Sequence, residues 1–166
     1  SLGSFYPEPI SAVGATERVR ELLEAPSEVD LTKQPSPTGR FTGEVDFRGV
    51  RFSYPSRPDV EVLRGLSLHV RPGEKIALVG QSGAGKSTIL QLLLRFYRPS
   101  EGEVLVDGRS IDSYDVTIFR QNIAIVPQEV LLFGGTIREN IAYGRPGATE
   151  EDIIAAAKDA NAWEFL

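Results

Sequence analysis

The chain has 166 residues, 41% hydrophobic and 25% charged, an ordinary globular composition that can fill one sizeable core. Its 18 Lys and Arg against 23 Asp and Glu leave a net charge of −5, which argues against a surface built to hold nucleic acid or anionic lipid, so any phosphate site has to be local. With no Cys and a single His, His69, the sequence excludes a disulfide framework, a thiolate zinc site, a cysteine nucleophile and a cluster of histidines around a metal. No stretch approaches the roughly 18 consecutive apolar residues of a membrane span, and no basic-then-apolar signal peptide opens the chain. The absence of Met gives the expectation that the chain is a piece of something longer.

In chain order, residues 11–25 place Val13, Ala15, Val19, Leu22 and Leu23 near helical spacing and predict an amphipathic helix. Residues 26–43 are rich in Pro, Ser, Thr and charge with no apolar period, which predicts a linker and a domain boundary near residue 43. From Glu44 the pattern becomes strand-like: Val45 and Phe47 alternate in one phase, Val50, Phe52 and Tyr54 in the other, and Gly49 between them can absorb the extra residue as a bulge. Residues 66–70 form another such run. The nearly continuous apolar run 75–79 (KIALV) predicts a parallel strand buried on both faces, followed by a glycine-rich loop and a helix over 87–97. Residues 103–106 then Asp107-Gly108 predict a strand entering a tight turn, and 123–126 (IAIV) a further buried strand. Thr136 with Glu139 forms a capping-box pattern opening a helix at Ile137. Thr149 before Glu150, Glu151 and Asp152 predicts another helix start, and 161–166 have helical composition without a stop signal.

One motif carries chemistry by its spacing. Gly80, Gln81, Ser82, Gly83, Ala84, Gly85, Lys86, Ser87 and Thr88 satisfy G-x-x-x-x-G-K-[ST] between an apolar strand pattern and a helix pattern. The glycines remove Cβ atoms so that backbone N–H groups can turn inward around an anion, to which the helix start adds its positive end. Lys86 supplies a mobile charge for β- and γ-phosphates, and the Ser87 hydroxyl is a hard oxygen ligand suited to Mg2+. A plain glycine-rich turn needs neither the third glycine nor Lys-Ser at the helix start. No N-K-x-D segment for reading guanine occurs, and Tyr54 offers a ring that can stack on a base, although residue type alone also fits a half-buried strand aromatic.

Taken in order, residues 51–68 (RFSYPSRPDVEVLRGLSL), 72–93, 101–108, 123–144 and 155–166 resemble the ATP-binding cassette of exporter-type ABC transporters, in which a cassette is fused to its own transmembrane domain, as in half-transporters of the multidrug and lipid-exporter kind. The resemblance implies an α/β P-loop NTPase fold, a RecA-like core with an antiparallel β subdomain and the start of the helical subdomain, incomplete. It implies three parts: 1–25 as the cytoplasmic end of the last transmembrane helix, 26–43 as linker, and 44–166 as a partial cassette. It makes Tyr54 the adenine-stacking aromatic, Val62 the apolar residue beside adenine and ribose, 80–88 the Walker A loop for ATP, and Gln128 the Q-loop glutamine that reaches Mg2+ or the attacking water. Read without the resemblance, Gln128 is a surface loop residue following a strand. Implied partners are a second cassette and the chain's own transmembrane domain, whose coupling helices would dock on the surface built by 119–143. Val130, Leu131, Leu132, Phe133, Ile137 and Ile141 there could equally be core. The parent would lie in a membrane with the cassette on its cytoplasmic face.

The sequence contains no L-S-G-G-Q signature, no apolar strand ending in Asp-Glu, no D-loop and no switch histidine. Residues 104–107 imitate a Walker B strand, but Asp107 precedes Gly108 rather than Glu, and a hairpin turn is the better reading. His69 precedes the phosphate loop, the wrong order for a switch histidine, and reads as a strand residue, while Trp163 reads as packing. Hydrolysis needs a base and charge stabilisation on both sides of the γ-phosphate, and Lys86, Ser87, the loop amides and Gln128 supply one side only. The expectation is therefore an ATP-binding part that scarcely turns ATP over alone, with unpaired edges and exposed core where other strands would pack. The alternative is a non-catalytic nucleotide-binding or interaction fragment; a different P-loop enzyme such as a small kinase is disfavoured because no lid-like Arg cluster occurs.

Overall fold

The computed structural model describes residues 19–21, 23, 24, 27, 29 and 39–165. Of the helix expected over 11–25, residues 19–21, 23 and 24 are helical, with Arg20 bonded to Glu24 at 2.9 Å; the remainder, and most of the linker 26–43, lies outside the described residues. The chain divides into two compact units, 1–124 and 125–166.

The first unit is built on a four-stranded antiparallel sheet in the order β2-β1-β3-β4, with β1 at Val45–Ser53, β2 at Glu61–Val70, β3 at Glu101–Val106 and β4 at Arg109–Ser110. The two phases of β1 are as the sequence predicts. Phe47, Val50 and Phe52 are all buried, and the register shifts against both neighbours across Gly49, whose φ of +57° marks the bulge. At that point Gly102 of β3 crosses the bulge so closely that a Cβ would collide with the Arg48 and Gly49 carbonyls. One face of the sheet is covered by the helix α1, Lys86–Leu93, through Ile89 and Leu92, and by α2, Val116–Gln121, through Phe119. Helix α1 is shorter than the predicted 87–97. It ends where Arg95 turns left-handed (φ +57°), and the Arg120 guanidinium caps its last carbonyls, Leu94 O at 3.1 Å and Arg95 O at 3.2 Å.

The segments predicted as a parallel strand buried on both faces, 75–79, and as a further buried strand, 123–126, are not strands. Residues 75–79 and 123–126 join no ladder among the described residues; Val79 is 88% and Val126 98% exposed, while Leu78 and Ile123 still pack against the core. An apolar run reports a two-sided burial environment only when flanking strands supply it, and every ladder among the described residues is antiparallel and lies within 45–110.

The Asp107-Gly108 turn forms as expected, with φ values of +50° and +73° that only Gly, Asn and Asp adopt readily. Its carboxylate has a second use. It accepts from Thr42 N at 2.7 Å, Thr42 Oγ1 at 2.6 Å, Gly43 N at 3.0 Å and Glu44 N at 3.0 Å, which clamps the segment entering β1.

In the second unit, α3 (Ile137–Ala142) and α4 (Glu150–Asp159) both begin with full capping boxes, Thr136 with Glu139 and Thr149 with Asp152. The Asn140 side chain donates to Phe133 O and accepts from Phe133 N, closing the loop before α3. Residues 163–165 form a single 3-10 turn in place of a continuing helix, and Lys158 lies over the Trp163 ring at 5.6 Å.

Burial pushes the Asp107 carboxyl up, but the Thr42 hydroxyl and the Thr42, Glu44 and Gly43 N–H groups outweigh it and hold it below its ordinary value. A depressed folded-state pKa contributes stability above the unfolded value, about 4, that is lost as pH falls through the folded value. Asp107→Asn keeps the turn and loses the charge. Urea unfolding should show it destabilised at pH 7, with the gap to the parent closing below about pH 4; a gap independent of pH would contradict the clamp.

Candidate functional site

The loop 80–85 connects the exposed end of the 75–79 segment to α1. Gly80, Gly83 and Gly85 have φ of +156°, +81° and +85°, so the last two hold left-handed conformations in which a side chain is strained. Gly85 is the N-cap of α1 and offers no side chain to its first turn, which also contains no acidic residue. The helix therefore presents its initial N–H groups and positive end to whatever occupies the loop. Gly85 is buried against the sheet: a Cβ there would lie 2.8 Å from Leu63 Cδ2 and 3.4 Å from Val62 Cγ1. Only the missing side chain lets α1 start this close to β2.

Lys86 arches back over the loop and donates through Nζ to Gly80 O and Gln81 O, both at 2.7 Å. Its charge is thereby held at the mouth of the loop on two neutral carbonyls, contacts weaker than those an anionic oxygen would offer. Ser87 is exposed at the first turn, with a hydroxyl open to a hard cation, so the donor chemistry fits Mg2+. Thr88, the next residue, is buried and bonded to the Tyr54 hydroxyl at 2.9 Å, and that hydroxyl also donates to Gln91 Oε1 at 2.7 Å. Tyr54 is packed edge-on against Phe52 at 4.9 Å and Tyr97 at 5.2 Å, so the residue just past β1 is tied both to α1 and to an aromatic cluster.

These groups surround a cleft of about 520 Å³, within the size of small-molecule sites. Its walls bring together Tyr54, Val62 and residues 82–88 of the sequence prediction. Gly80 and Gln81 stand behind it through their bonds to Lys86. Sequence reading missed Arg57 and Val60, which also line the cleft; the turn they occupy, closed by Arg57 N to Tyr54 O at 2.9 Å, carries no pattern of its own. Among the described residues no carboxylate lines the cleft, whereas Arg57 and Lys86 do, so a chain of net charge −5 has a locally cationic cleft. Gln128 belongs to the second unit, at an exposed bend following 123–126.

The ABC transporter family matches residues 63–166. The chain belongs to that family. It is 48% identical over 163 residues to ABC transporter B family member 1 of Arabidopsis thaliana, covering 96% of this chain and 13% of that protein. It is 46% identical over 160 residues to the ABC multidrug transporter mdr2 of Aspergillus fumigatus, covering 96% of this chain and 20% of that protein. Among solved structures it resembles a bacterial Atm1-family ABC exporter with ATP bound, at 42% identity and a TM-score of 0.78, over 93% of this chain and 27% of the exporter's. The chain thus spans about a quarter or less of the length of these relatives. Its fold is that of the P-loop NTPase cassette, and this is a nucleotide-binding domain of the ABC exporter type.

The two left-handed glycines of this ABC loop should respond differently to a methyl group. Gly85→Ala meets both strain and the Leu63 side chain, whereas a Cβ at Gly83 has nothing within 4 Å. Gly85→Ala should therefore destabilise more, by about 1–3 kcal/mol beyond Gly83→Ala in urea unfolding. Equal losses would show that α1 is not seated on Leu63.

Proposed function

We propose that the cleft binds Mg-ATP for an exporter that couples ATP binding and hydrolysis to transport across a membrane. The observation carrying this reading is the loop itself: left-handed glycines, an uncapped helix start and a lysine in one cationic cleft beside an aromatic ring. In it, the Tyr54 ring stacks on adenine with Val62 beneath the base and ribose, and residues 80–88 wrap the phosphates. Lys86 exchanges its two carbonyl contacts for β- and γ-phosphate oxygens. Ser87 and Gln128 are the metal-side ligands, and Lys86 and Gln128 are the chain's contributions to catalysis. Mg2+, when bound, neutralises charge on the phosphates.

Turnover needs more than this cleft offers. Among the described residues no carboxylate lines it, and in this reading the base that activates water and the charge on the far side of the γ-phosphate come from elsewhere, the latter from a second cassette closing over the first. Residues 1–166 alone then act as a nucleotide-binding part with little hydrolysis of their own. Within the second unit Val130, Leu131, Leu132, Phe133 and Ile137 are exposed and Ile141 is half-buried, an apolar stretch that further protein can cover either as a docking surface or as core. It suits coupling helices of the chain's own transmembrane domain, with the parent in a membrane and the cassette on the cytoplasmic face.

Titration calorimetry separates the two ends of the ligand. Lys86→Ala should weaken Mg-ATP by at least about tenfold. Tyr54→Ala should weaken ATP while leaving inorganic triphosphate nearly unchanged; equal losses for both ligands would remove adenine stacking, and unchanged ATP affinity in Lys86→Ala would overturn the phosphate assignment.

A further inference from the structure

At the end of the sheet where β1 begins and β2 finishes, Glu44, one residue before β1, and Asp46 are two positions apart in extended chain, and the β1–β2 register sets His69 directly opposite Asp46. Their ligand atoms all lie within 4.8 Å of one another. The Asp46 carboxylate accepts from His69 Nδ1 at 2.7 Å, which fixes the ring and leaves Nε2 as the free nitrogen. That nitrogen faces Glu44 Oε1 at 3.9 Å. The gap is too long for a hydrogen bond, and in a neutral ring it opposes a lone pair to a carboxylate. A metal ion between them resolves the opposition by giving both groups a cation to bind.

We propose that Glu44 and His69 Nε2 bind a divalent transition metal of the zinc type, with Asp46 as the positioning residue that orients the imidazole. Two ligand atoms of a tetrahedral zinc ion lie about 3.3 Å apart, so the observed 3.9 Å closes with about 0.6 Å of movement in two side chains exposed enough to move. Asp46, only 16% exposed, is the fixed member of the carboxylate–imidazole–metal arrangement. The Glu44 backbone is fixed as well: its N–H donates to Asp107 Oδ1 and its carbonyl accepts from Asp107 N, both at 3.0 Å. Arg48 approaches Asp46 at 3.4 Å, on the oxygen not used by His69. Water completes the coordination, and with one imidazole ligand the site prefers zinc, nickel or copper over Mg2+ and Ca2+.

Because the chain has one histidine, its ring resonances report the site without assignment ambiguity. Titrating the purified chain with ZnCl2 at pH 7 in phosphate-free buffer should move them saturably at one ion per chain, reversed by chelator and not reproduced by MgCl2. Glu44→Gln should weaken binding at least about tenfold, and Asp46→Asn by about 10–100-fold, both with the circular dichroism of the parent. His69→Gln should abolish the calorimetric signal. No saturable shift up to about 1 mM zinc, or a Glu44→Gln affinity equal to the parent's, would overturn the site and leave an ion pair with a proton as its only cation.

Discussion

The contact between Gly85 and Leu63 sets the geometry on which the rest of the site depends. A left-handed residue without a side chain is required where the loop becomes helix, and the space its Cβ would fill belongs to Leu63 of β2. From that single approach follow the burial of Ile89 and Leu92 on the sheet, the depth of Thr88, and the reach of the Tyr54 hydroxyl to Thr88 and Gln91. The anion-binding end of the helix and the aromatic ring beside it are thus not independent features. They are two consequences of one strand–helix contact, and the cleft between them has walls but no acid.

Elements whose neighbours lie nearby in sequence were legible before the fold was known. The bulge at Gly49, the Asp107-Gly108 turn, the Thr136–Glu139 capping box and the acidic helix start after Thr149 are local chemistry, written in residues one to four positions apart. The glycine-rich loop and the helix start after it were legible for the same reason, since the residues that form them lie within 80–88. Two kinds of feature were not. The runs 75–79 and 123–126 read as buried strands because apolar composition registers an environment, and their ladder partners are not among the described residues. Arg57 and Val60 enter the cleft through a turn whose sequence has no period or motif, so only the fold brings them there. Nor could the sequence show that Asp107, apparently a turn residue, clamps residues 42–44 from more than sixty positions away.

The exposed apolar segments and the closed polar clamps divide the chain by function. Where backbone direction must be fixed, side chains satisfy it: Asp107 at the entry to β1, Arg120 at the end of α1, Asn140 before α3. Where large apolar side chains face water, as at Val79, Val126 and Leu131, the surface is suited to be covered by other protein.

Residues 83–88 are proposed to cradle phosphate through backbone N–H groups and Lys86. Backbone amide NMR during titration with magnesium triphosphate tests it directly. Large shifts are expected for the amides of Gly83 to Thr88 and small ones across β1 to β4; shifts absent from the loop, or centred on another basic patch, would rule the cradle out.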